Sequence, residues 1–399
     1  MREDSVTWQP EIDELRKREE LGRRMGGPEK IQRQHAGGKL TVRERVAGLL
    51  DAGSFHEIGA IAGKARYNDA GELIDMVPTN LVMGRGRIDG RPVVIAGDDF
   101  TVRGGANDGG LREKLERVEM MAYELRLPML RLVDGTGGGG SVKNIEQDGR
   151  TQIPTIAIWE QVVKNMSVVP VVSLALGSVA GLGSARVAAS HYSVMVKDTS
   201  QLFVAGPPVV ARVEKSHEKN ELGGSAIHTR NGAVDDEAPS ESEAFARARR
   251  FLSYLPSSVY ELPPRTACDD DPGRSDPWLI EAVPKDARKV FGVAGAAHQN
   301  SGRYNLRYVW PSGEWGSLPI AGGLEAAYRA DIEAAPDPAA RMAEIEKRLK
   351  ALTSPFRSAE SFIVEEIIDP RDTRRLLCEF ADLAAPLRTP GRTAFGIRP

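Results

Sequence analysis

Cysteine is scarce in this chain of 399 residues, which carries only Cys268 and Cys378, far apart. Two distant cysteines exclude a disulfide framework and indicate a reducing compartment. Aromatic residues make up only 6%, and neither sign of charge dominates, since 53 Lys and Arg stand against 56 Asp and Glu. The resulting net charge of −3 argues against a nucleic-acid partner. We therefore expect a cytoplasmic enzyme.

Long apolar runs are also missing. The first residues, Met1 to Trp8, contain acids and no apolar core, so we expect no signal peptide. The most apolar stretch begins at Val168 and is too short to span a membrane, so we expect no membrane partner. The 41 glycines and 25 prolines instead indicate many turns between short elements, as in an α/β protein. The length predicts two lobes, at 1–262 and 288–399, joined by an acidic, proline-bearing linker at 263–287.

Several common catalytic motifs are absent. Ser184 stands in Gly-Leu-Gly-Ser-Ala, which is not the Gly-x-Ser-x-Gly of a nucleophile elbow. Gly135, Gly137 and Gly140 match Gly-x-Gly-x-x-Gly, but no acid follows where a dinucleotide ribose needs one. Ser141 replaces the lysine of a phosphate loop. His217 and His228 have no cysteine or carboxylate at ligand spacing, so we expect no metal.

The chain is organised around the stretch from Val168 to Ser190. A valine-rich apolar run to Leu176 predicts a buried strand, and the small residues towards Ser190 predict a helix. The N–H groups at the start of such a helix point back at the turn, where they can stabilise a developing oxyanion. The glycines that build this turn are Gly177, Gly181 and Gly183. They serve either close approach to a ligand or packing alone, and the stretch by itself leaves both interpretations open.

The segments before this stretch predict conventional elements. Thr41 with Glu44 predicts a capping box for a helix through Leu50. Asp89-Gly90 predicts the turn of a β-hairpin, and a helix at 111–125 leads to a buried strand at 127–133.

A cationic stretch runs from Lys30 to Arg45. Within it, Lys39, Arg43 and Arg45 suit phosphate contacts, although a solvated charged face is the plainer interpretation.

Four motifs together extend from near Arg16 to the C-terminus. They are Gln34-His-Ala-Gly-Gly-Lys-Leu-Thr-Val-Arg-Glu-Arg45, Phe100-Thr-Val-Arg-Gly-Gly105, Val196-Lys-Asp-Thr-Ser200 with Phe203-Val-Ala-Gly-Pro207, and Ile367-Ile-Asp-Pro-Arg-Asp-Thr-Arg374. In combination they resemble the carboxyltransferase (β) subunits of biotin-dependent acyl-CoA carboxylases, most of all those of propionyl-CoA carboxylases.

The resemblance implies a crotonase-like (ClpP/crotonase) α/β spiral fold of two lobes, each with an oxyanion hole at a glycine-rich strand–helix turn. It places the acyl-CoA substrate on the first lobe and biotin, carried by a partner, on the second lobe of a neighbouring subunit. Carboxybiotin would release CO2, its ureido nitrogen would take the α-proton of a short, propionyl-like acyl group, and the enolate would attack CO2. The implied partners are a biotin carboxylase or biotin carboxyl carrier subunit and further copies of this chain, from a dimer to a hexamer.

The resemblance also assigns site residues. The first oxyanion hole falls at Gly181 and Leu182, beside Gly183, where the family usually has Gly-Gly. The second falls at Gly292, Val293 and Ala294, with the small residues Gly295 and Ala296 leaving room for a larger acyl group. The further substrate contacts that we expect are Lys39, Arg43 and Lys114 at the CoA phosphates and Gly104, Gly105, Gly135, Thr136 and Gly137 in the loops.

The second lobe is short by this comparison. From Leu49 to Val179 the first lobe has 130 positions, whereas Pro264 to Val293 in the second has only 29. About a hundred residues are therefore missing from its first half, which is too many for loop variation. We infer an internal deletion that leaves the second lobe incomplete, with exposed apolar faces and open sheet edges.

Three other functions compete with an acyl-CoA carboxylase subunit. The carboxyltransferase subunit of a biotin-dependent acyl-CoA decarboxylase has the same fold. A truncated, non-catalytic paralogue that acts only in assembly is favoured by the deletion. A crotonase-type hydratase lacks support, because no pair of glutamates lies beside the first hole.

Overall fold

A computed structural model describes residues 7–105, 112–135, 158–212, 218–264, 267–283, 308–313, 324, 327–350, 352, 354–362 and 364–392. The chain divides into two compact units. The first unit comprises Met1–Arg265 with Thr389–Pro399, and the second comprises Thr266–Arg388. The lobe and linker bounds expected from the sequence stay a prediction.

The first unit is built on a seven-stranded sheet. Its order is β1-β4-β5-β6-β7-β9-β11, antiparallel between β1 and β5 and parallel from β5 to β11. These strands are β1 His56–Glu57, β4 Leu81–Ile88, β5 Arg91–Asp98, β6 Met129–Val133, β7 Val171–Ala175, β9 Tyr192–Val196 and β11 Asp236–Ala238. Two small sheets accompany it, one pairing β2 (Gly63–Tyr67) with β3 (Leu73–Pro78), the other β8 (Ser178–Ala180) with β10 (Gln201–Phe203).

Alternation along the central strands creates two apolar faces. Every residue of β6 and β7 is buried, which fits strands in the middle of a parallel sheet. Leu130 and Leu132 pack with one cluster and Met129 with another, because successive side chains point to opposite sides. The apolar run that the sequence predicts as a buried strand is thus confirmed as β7, between β6 and β9.

Helices cover these two faces. The helices of the first unit are α1 Gln9–Arg23, α2 Pro28–Ala36, α3 Val42–Leu49, α4 Arg112–Leu125, α5 Ile158–Asn165, α6 Leu182–Ala188, α7 Pro207–Val210, α8 Lys219–Gly223, α9 Ser225–Arg230 and α10 Glu241–Ser253. α3 and α10 supply residues to one apolar cluster, and α4 and α5 supply residues to the other. A sheet that is parallel from β5 to β11 and covered by helices on both faces confirms the predicted α/β class.

The cap of α3 and the turn between β4 and β5 form where the sequence predicts them. Thr41 caps α3 reciprocally with Glu44, as predicted. The predicted hairpin joins β4 to β5, with Asp89 and Gly90 both at positive φ.

The second unit contains mostly short elements among its described residues. They are β12 Tyr308–Val309, α11 Arg329–Glu333, α12 Pro338–Lys350, α13 Pro355–Glu360, β13 Glu366–Ile367 and α14 Thr373–Ala384. β12 and β13 form a parallel pair of two residues each. In neither unit does the described part of the chain contain a helix with the length and apolar character that a bilayer crossing requires.

Candidate functional site

Glycine-rich loops meet at the carboxyl end of the parallel strands. A Cβ on Gly105 would lie 2.4 Å from the carbonyl oxygen of Asp134, and one on Gly135 would lie 2.5 Å from that of Gly104. All three glycines have positive φ. The amide of Ala180 donates to the Gly135 carbonyl at 3.3 Å. The structure therefore brings three of the predicted loop residues to the turn before α6.

That turn is held by its own hydrogen bonds. Gly181, at φ 60° and ψ −123°, directly precedes α6 and donates its N–H to the Phe203 carbonyl at 3.0 Å. The Ser184 hydroxyl donates to the same oxygen at 2.8 Å. The amides of Leu182 and Gly183 donate to no acceptor in the part of the chain that the structure describes.

Gly177 and Gly181 are required in this turn for different reasons. A Cβ on Gly177 would lie 2.0 Å from Asp134 Oδ1, so Gly177 is required for packing. A Cβ on Gly181 would meet nothing within 4 Å, so only its positive φ requires glycine. Gly181 is exposed, Leu182 is half-buried and Gly183 is buried, so a ligand can reach this turn from the side of Gly181 and Leu182. A pair of unbonded amides can stabilise negative charge on a carbonyl oxygen.

Asp134 is the centre of a buried charged cluster below these loops. Its carboxylate accepts from Arg45 Nη1 at 2.8 Å, from Lys39 Nζ at 3.3 Å and from Gln34 Nε2 at 3.2 Å. Arg45 also clamps Glu241 with Nε and Nη2, both at 2.8 Å. The motif at 34–45 thus stabilises the end of β6.

The three lysine and arginine residues predicted at CoA phosphates all have internal partners. Lys39 lies 4.3 Å from the Phe100 ring besides binding Asp134. Arg43 binds both oxygens of Glu57, at 2.8 and 3.1 Å. Their phosphate contacts stay a prediction, since each would have to exchange a partner.

Lys114 is the most enclosed of the three. Its ammonium donates to the carbonyls of Leu81 and Gly59 at 2.6 and 3.0 Å and to the Thr79 hydroxyl at 3.2 Å. Burial lowers the pKa of Lys114 to about 8. This side chain anchors the start of β4 to the loop at Gly59.

A second buried charged group lies between α4, β6 and α6. Arg131 clamps Glu119 through Nε and Nη2 at 2.7 and 2.8 Å, and Asn165 donates to the same carboxylate at 2.7 Å. Burial alone would raise the pKa of Glu119, but the Arg131 charge and these hydrogen bonds lower it. Asp98 lies 3.6 Å from Arg186 Nη1, and burial raises its pKa despite that cation.

The sequence interpretation named Lys39 and Arg45 for phosphate contacts, but it predicted neither buried group as a cluster and did not name Asp134, Glu119 or Arg131. Asp134 follows a predicted strand, a position that could have suggested a polar role. Its partners lie up to 100 positions away, and no local pattern shows such pairing.

A groove with cationic walls lies among α1, α2 and β3. Its volume is about 740 Å³, and its charged lining comprises Arg23, Arg24, Lys30, His35, Asp75 and Arg103. Asp75 pairs with Arg24 at 2.6 Å, so the lining is positive on balance. The sequence interpretation missed this groove, because its residues come from three separate segments.

Seven predicted site residues lie outside the described residues. They are Gly292, Val293 and Ala294 of the second hole, Gly295 and Ala296 beside it, and the loop residues Thr136 and Gly137. Among the described residues, no group of three or more His, Cys, Asp and Glu side chains is placed to hold a metal ion.

Comparison with known proteins identifies relatives. Residues 33–298 match the carboxyl transferase domain. The carboxyltransferase subunit of propionyl-CoA carboxylase from Haloferax mediterranei is 33% identical over 290 residues, which are 72% of this chain and 55% of that protein. Methylmalonyl-CoA decarboxylase subunit alpha from Veillonella parvula is 30% identical over 283 residues, which are 70% and 55% of the two chains. The chain spans about half the length of the curated relatives that it matches.

A solved structure shares the fold. Transcarboxylase 12S superposes with a TM-score of 0.71 at 22% identity, covering 100% of both chains. The predicted crotonase-like carboxyltransferase fold is thereby confirmed.

Proposed function

This chain belongs to the carboxyl transferase domain family, and from that premise we propose that it is the carboxyltransferase component of an acyl-CoA carboxylase. It would move a carboxyl group from biotin on a partner to the α-carbon of a short, propionyl-like acyl-CoA. The observation that carries this proposal is the pair of unbonded amides at Leu182 and Gly183, next to the exposed Gly181 and within the family match.

The two amides suit the thioester oxygen of an acyl-CoA. Removing the α-proton turns that oxygen into an enolate oxygen, and preformed backbone donors stabilise the charge that develops there. The resemblance named Gly181 as one donor. Because the Gly181 N–H is bonded to Phe203, the proposal uses Leu182 and Gly183 instead.

Biotin, when bound, supplies the carboxyl group. The residues that the resemblance assigns to its lobe, 292–296, lie outside the described residues, so the proposal gives it no contacts.

The CoA phosphates have two candidate sites in the first unit. The predicted set is Lys39, Arg43 and Lys114. The cationic groove is the alternative that we favour, because Lys30 and Arg103 are exposed in it whereas Lys114 is buried. Charge reversal at Lys30 should then raise the KM for acyl-CoA more than charge reversal at Lys39.

The partners follow from the same premise. We propose a biotin carboxylase or biotin carboxyl carrier subunit as the source of carboxybiotin, and a cytoplasmic location. The transcarboxylase 12S structure is described as a hexamer. We propose that this chain also forms a homo-oligomer, between a dimer and a hexamer.

Two alternatives to an acyl-CoA carboxylase subunit are each favoured by a specific observation. The match to a methylmalonyl-CoA decarboxylase subunit favours a decarboxylase carboxyltransferase, which would use the same site. A non-catalytic paralogue acting in assembly is favoured by the predicted deletion in the second lobe.

The test needs no unidentified partner. The purified chain is incubated with methylmalonyl-CoA and free biotin, and formation of propionyl-CoA is followed by mass spectrometry. We expect biotin-dependent turnover. Leu182→Pro removes one N–H at the first helical position, where proline is tolerated, and should lower kcat by about 10²–10³.

Leu182→Ala is the matched control, since it keeps the N–H and should keep most of the activity. Equal activity of the alanine and proline variants would refute the role of this amide. No turnover by the wild-type chain would favour the non-catalytic paralogue. If turnover occurs, the direction of reaction with the native partner separates carboxylase from decarboxylase.

A further inference from the structure

Three arginines are almost completely buried among the described residues of the first unit. They are Arg45, Arg131 and Arg186, whose side chains are 1%, 0% and 2% exposed. A guanidinium removed from water is stable only when acceptors replace the lost hydration. The acceptors of each arginine therefore show what its site is built to hold.

Two of these arginines use the same edge for the same purpose. Nε and Nη2 of Arg45 contact the two oxygens of Glu241, both at 2.8 Å. Nε and Nη2 of Arg131 contact the two oxygens of Glu119, at 2.7 and 2.8 Å. This side-on fork matches the planar geometry and spacing of a carboxylate.

Arg186 lacks that partner. Its Nε and Nη2 make no hydrogen bond with any residue in the described ranges, although both atoms are buried. Its ion pair is with Asp98, through Nη1 and at 3.6 Å. Glu119, whose ionisation Arg186 also favours, already has its carboxylate bound by Arg131 and Asn165. Arg186 is thus the one of these three arginines whose Nε and Nη2 edge binds no carboxylate among the described residues.

We infer that the Nε and Nη2 edge of Arg186 binds a small planar oxyanion of the carboxylate class, either bicarbonate or the carboxyl group of an organic ligand. The internal comparison carries this inference, because the same edge of Arg45 and Arg131 is filled by a carboxylate. A carboxylate offers each of the two donors its own oxygen, whereas a spherical anion such as chloride must share one acceptor between them and should bind more weakly.

The position of Arg186 gives the site a place in the fold. It lies on α6, one turn beyond Leu182, and its carbonyl accepts from Arg131 Nη1 at 3.2 Å and from the Ser173 hydroxyl at 3.2 Å. The anion would therefore bind beside the helix that carries the proposed oxyanion donors. The inference does not depend on the proposed carboxyl transfer.

The experiment is a thermal-unfolding titration with sodium bicarbonate and sodium acetate at constant ionic strength, with sodium chloride as the reference salt. We expect a saturable rise in Tm, relative to the chloride reference, with at least one planar anion. Saturation by bicarbonate alone identifies free bicarbonate as the ligand. Saturation by acetate identifies a carboxyl group.

Variants test the assignment to Arg186. Arg186→Lys keeps the charge but loses the fork, so the anion affinity should fall at least tenfold. Asp98→Asn removes a competing negative charge and should raise the affinity several-fold. The surface variant Arg341→Lys is the control and should leave the affinity unchanged.

Non-saturating or chloride-like behaviour of the wild type would overturn the inference, as would unchanged or weaker binding in Asp98→Asn. If Arg186→Lys does not fold, the titrations of the wild type and of Asp98→Asn still test the inference. Neither acyl-CoA nor biotin enters this assay, so its failure is distinguishable from failure of the proposed function.

Discussion

In the first unit, β6 and β7 lie in the middle of a seven-stranded sheet with all their residues buried. In the second unit, the sheet among the described residues is the two-residue pair of β12 and β13, and its buried apolar side chains are few. Those buried side chains are Leu324, Ile345, Val364, Ile368 and Leu376. The two units therefore differ in how much apolar surface their described elements remove from water.

The helices of the second unit show the same difference. α14 buries Leu376 but leaves Leu377, Phe380 and Leu383 between 39% and 65% exposed. An amphipathic helix normally covers such a stripe with a sheet or another helix. A deletion of core strands would leave this pattern, and the deletion itself stays a prediction. The described site residues therefore belong to the unit whose packing can hold them in place.

Hydrogen exchange gives the broadest test of this difference. Amides of β6 and β7 should exchange at least about a thousandfold more slowly than those of β12, β13 and α14, because only the former need large-scale unfolding to open. The measurement is native-state exchange followed by proteolysis and mass spectrometry. Similar protection in both units would mean that the second unit has a core beyond its described elements.

Arg131 in the first unit and Arg341 in the second should differ in how much they contribute to the free energy of unfolding. Arg131→Met leaves Glu119 buried without its cation and should lower the free energy of unfolding by about 3–5 kcal/mol. Arg341→Met, in a surface ion pair of the second unit, should cause no resolvable change. Urea titrations measure both.

The double variant Arg131→Met with Glu119→Leu is the control for the first unit. It removes both charges and should recover much of the lost stability. A large effect of Arg341→Met would contradict the assignment of weak packing to the second unit.

A smaller effect separates two glycines. Gly177→Ala would place a Cβ 2.0 Å from Asp134 Oδ1, and the required shift should cost about 1–3 kcal/mol. Gly273→Ala in the second unit meets Asp271 Oδ1 only at 3.3 Å, at the end of a flexible side chain, and should be close to neutral. Thermal unfolding compares the two variants, and equal losses would contradict the tight packing at Asp134.

Local signals allowed much of the first unit to be predicted. Thr41 with Glu44 and Asp89 with Gly90 act within four positions, so the sequence shows them directly. The β8–β10 pair and the Asp134 cluster could not be predicted, because they depend on tertiary contacts. Arg45 reaches Asp134 over 89 positions and Glu241 over 196, and a short window reads such an arginine as a surface charge.

Glu44 in the first unit and Asp369 in the second are two carboxylates whose pKa lies near 2. Partial burial opposes the ionisation of Glu44, but hydrogen bonds with His35 and Thr41 outweigh it and lower its pKa to about 2. In the second unit, the Arg371 side chain and amide lower the pKa of Asp369 to about 2. A depressed pKa stabilises the fold above the ordinary value, and the contribution is lost as pH falls towards 2.

Glu44→Gln should therefore be less stable than the wild type at neutral pH, and the difference should shrink between about pH 4.5 and 2. Asp369→Asn should show a weaker dependence, because its carboxylate is open to solvent, which screens the Arg371 pair. Urea midpoints measured across this pH range give both differences. A larger pH dependence in Asp369→Asn would show that its ion pair is held more rigidly than the capping box of α3. The second unit would then have the more stabilising carboxylate of the two.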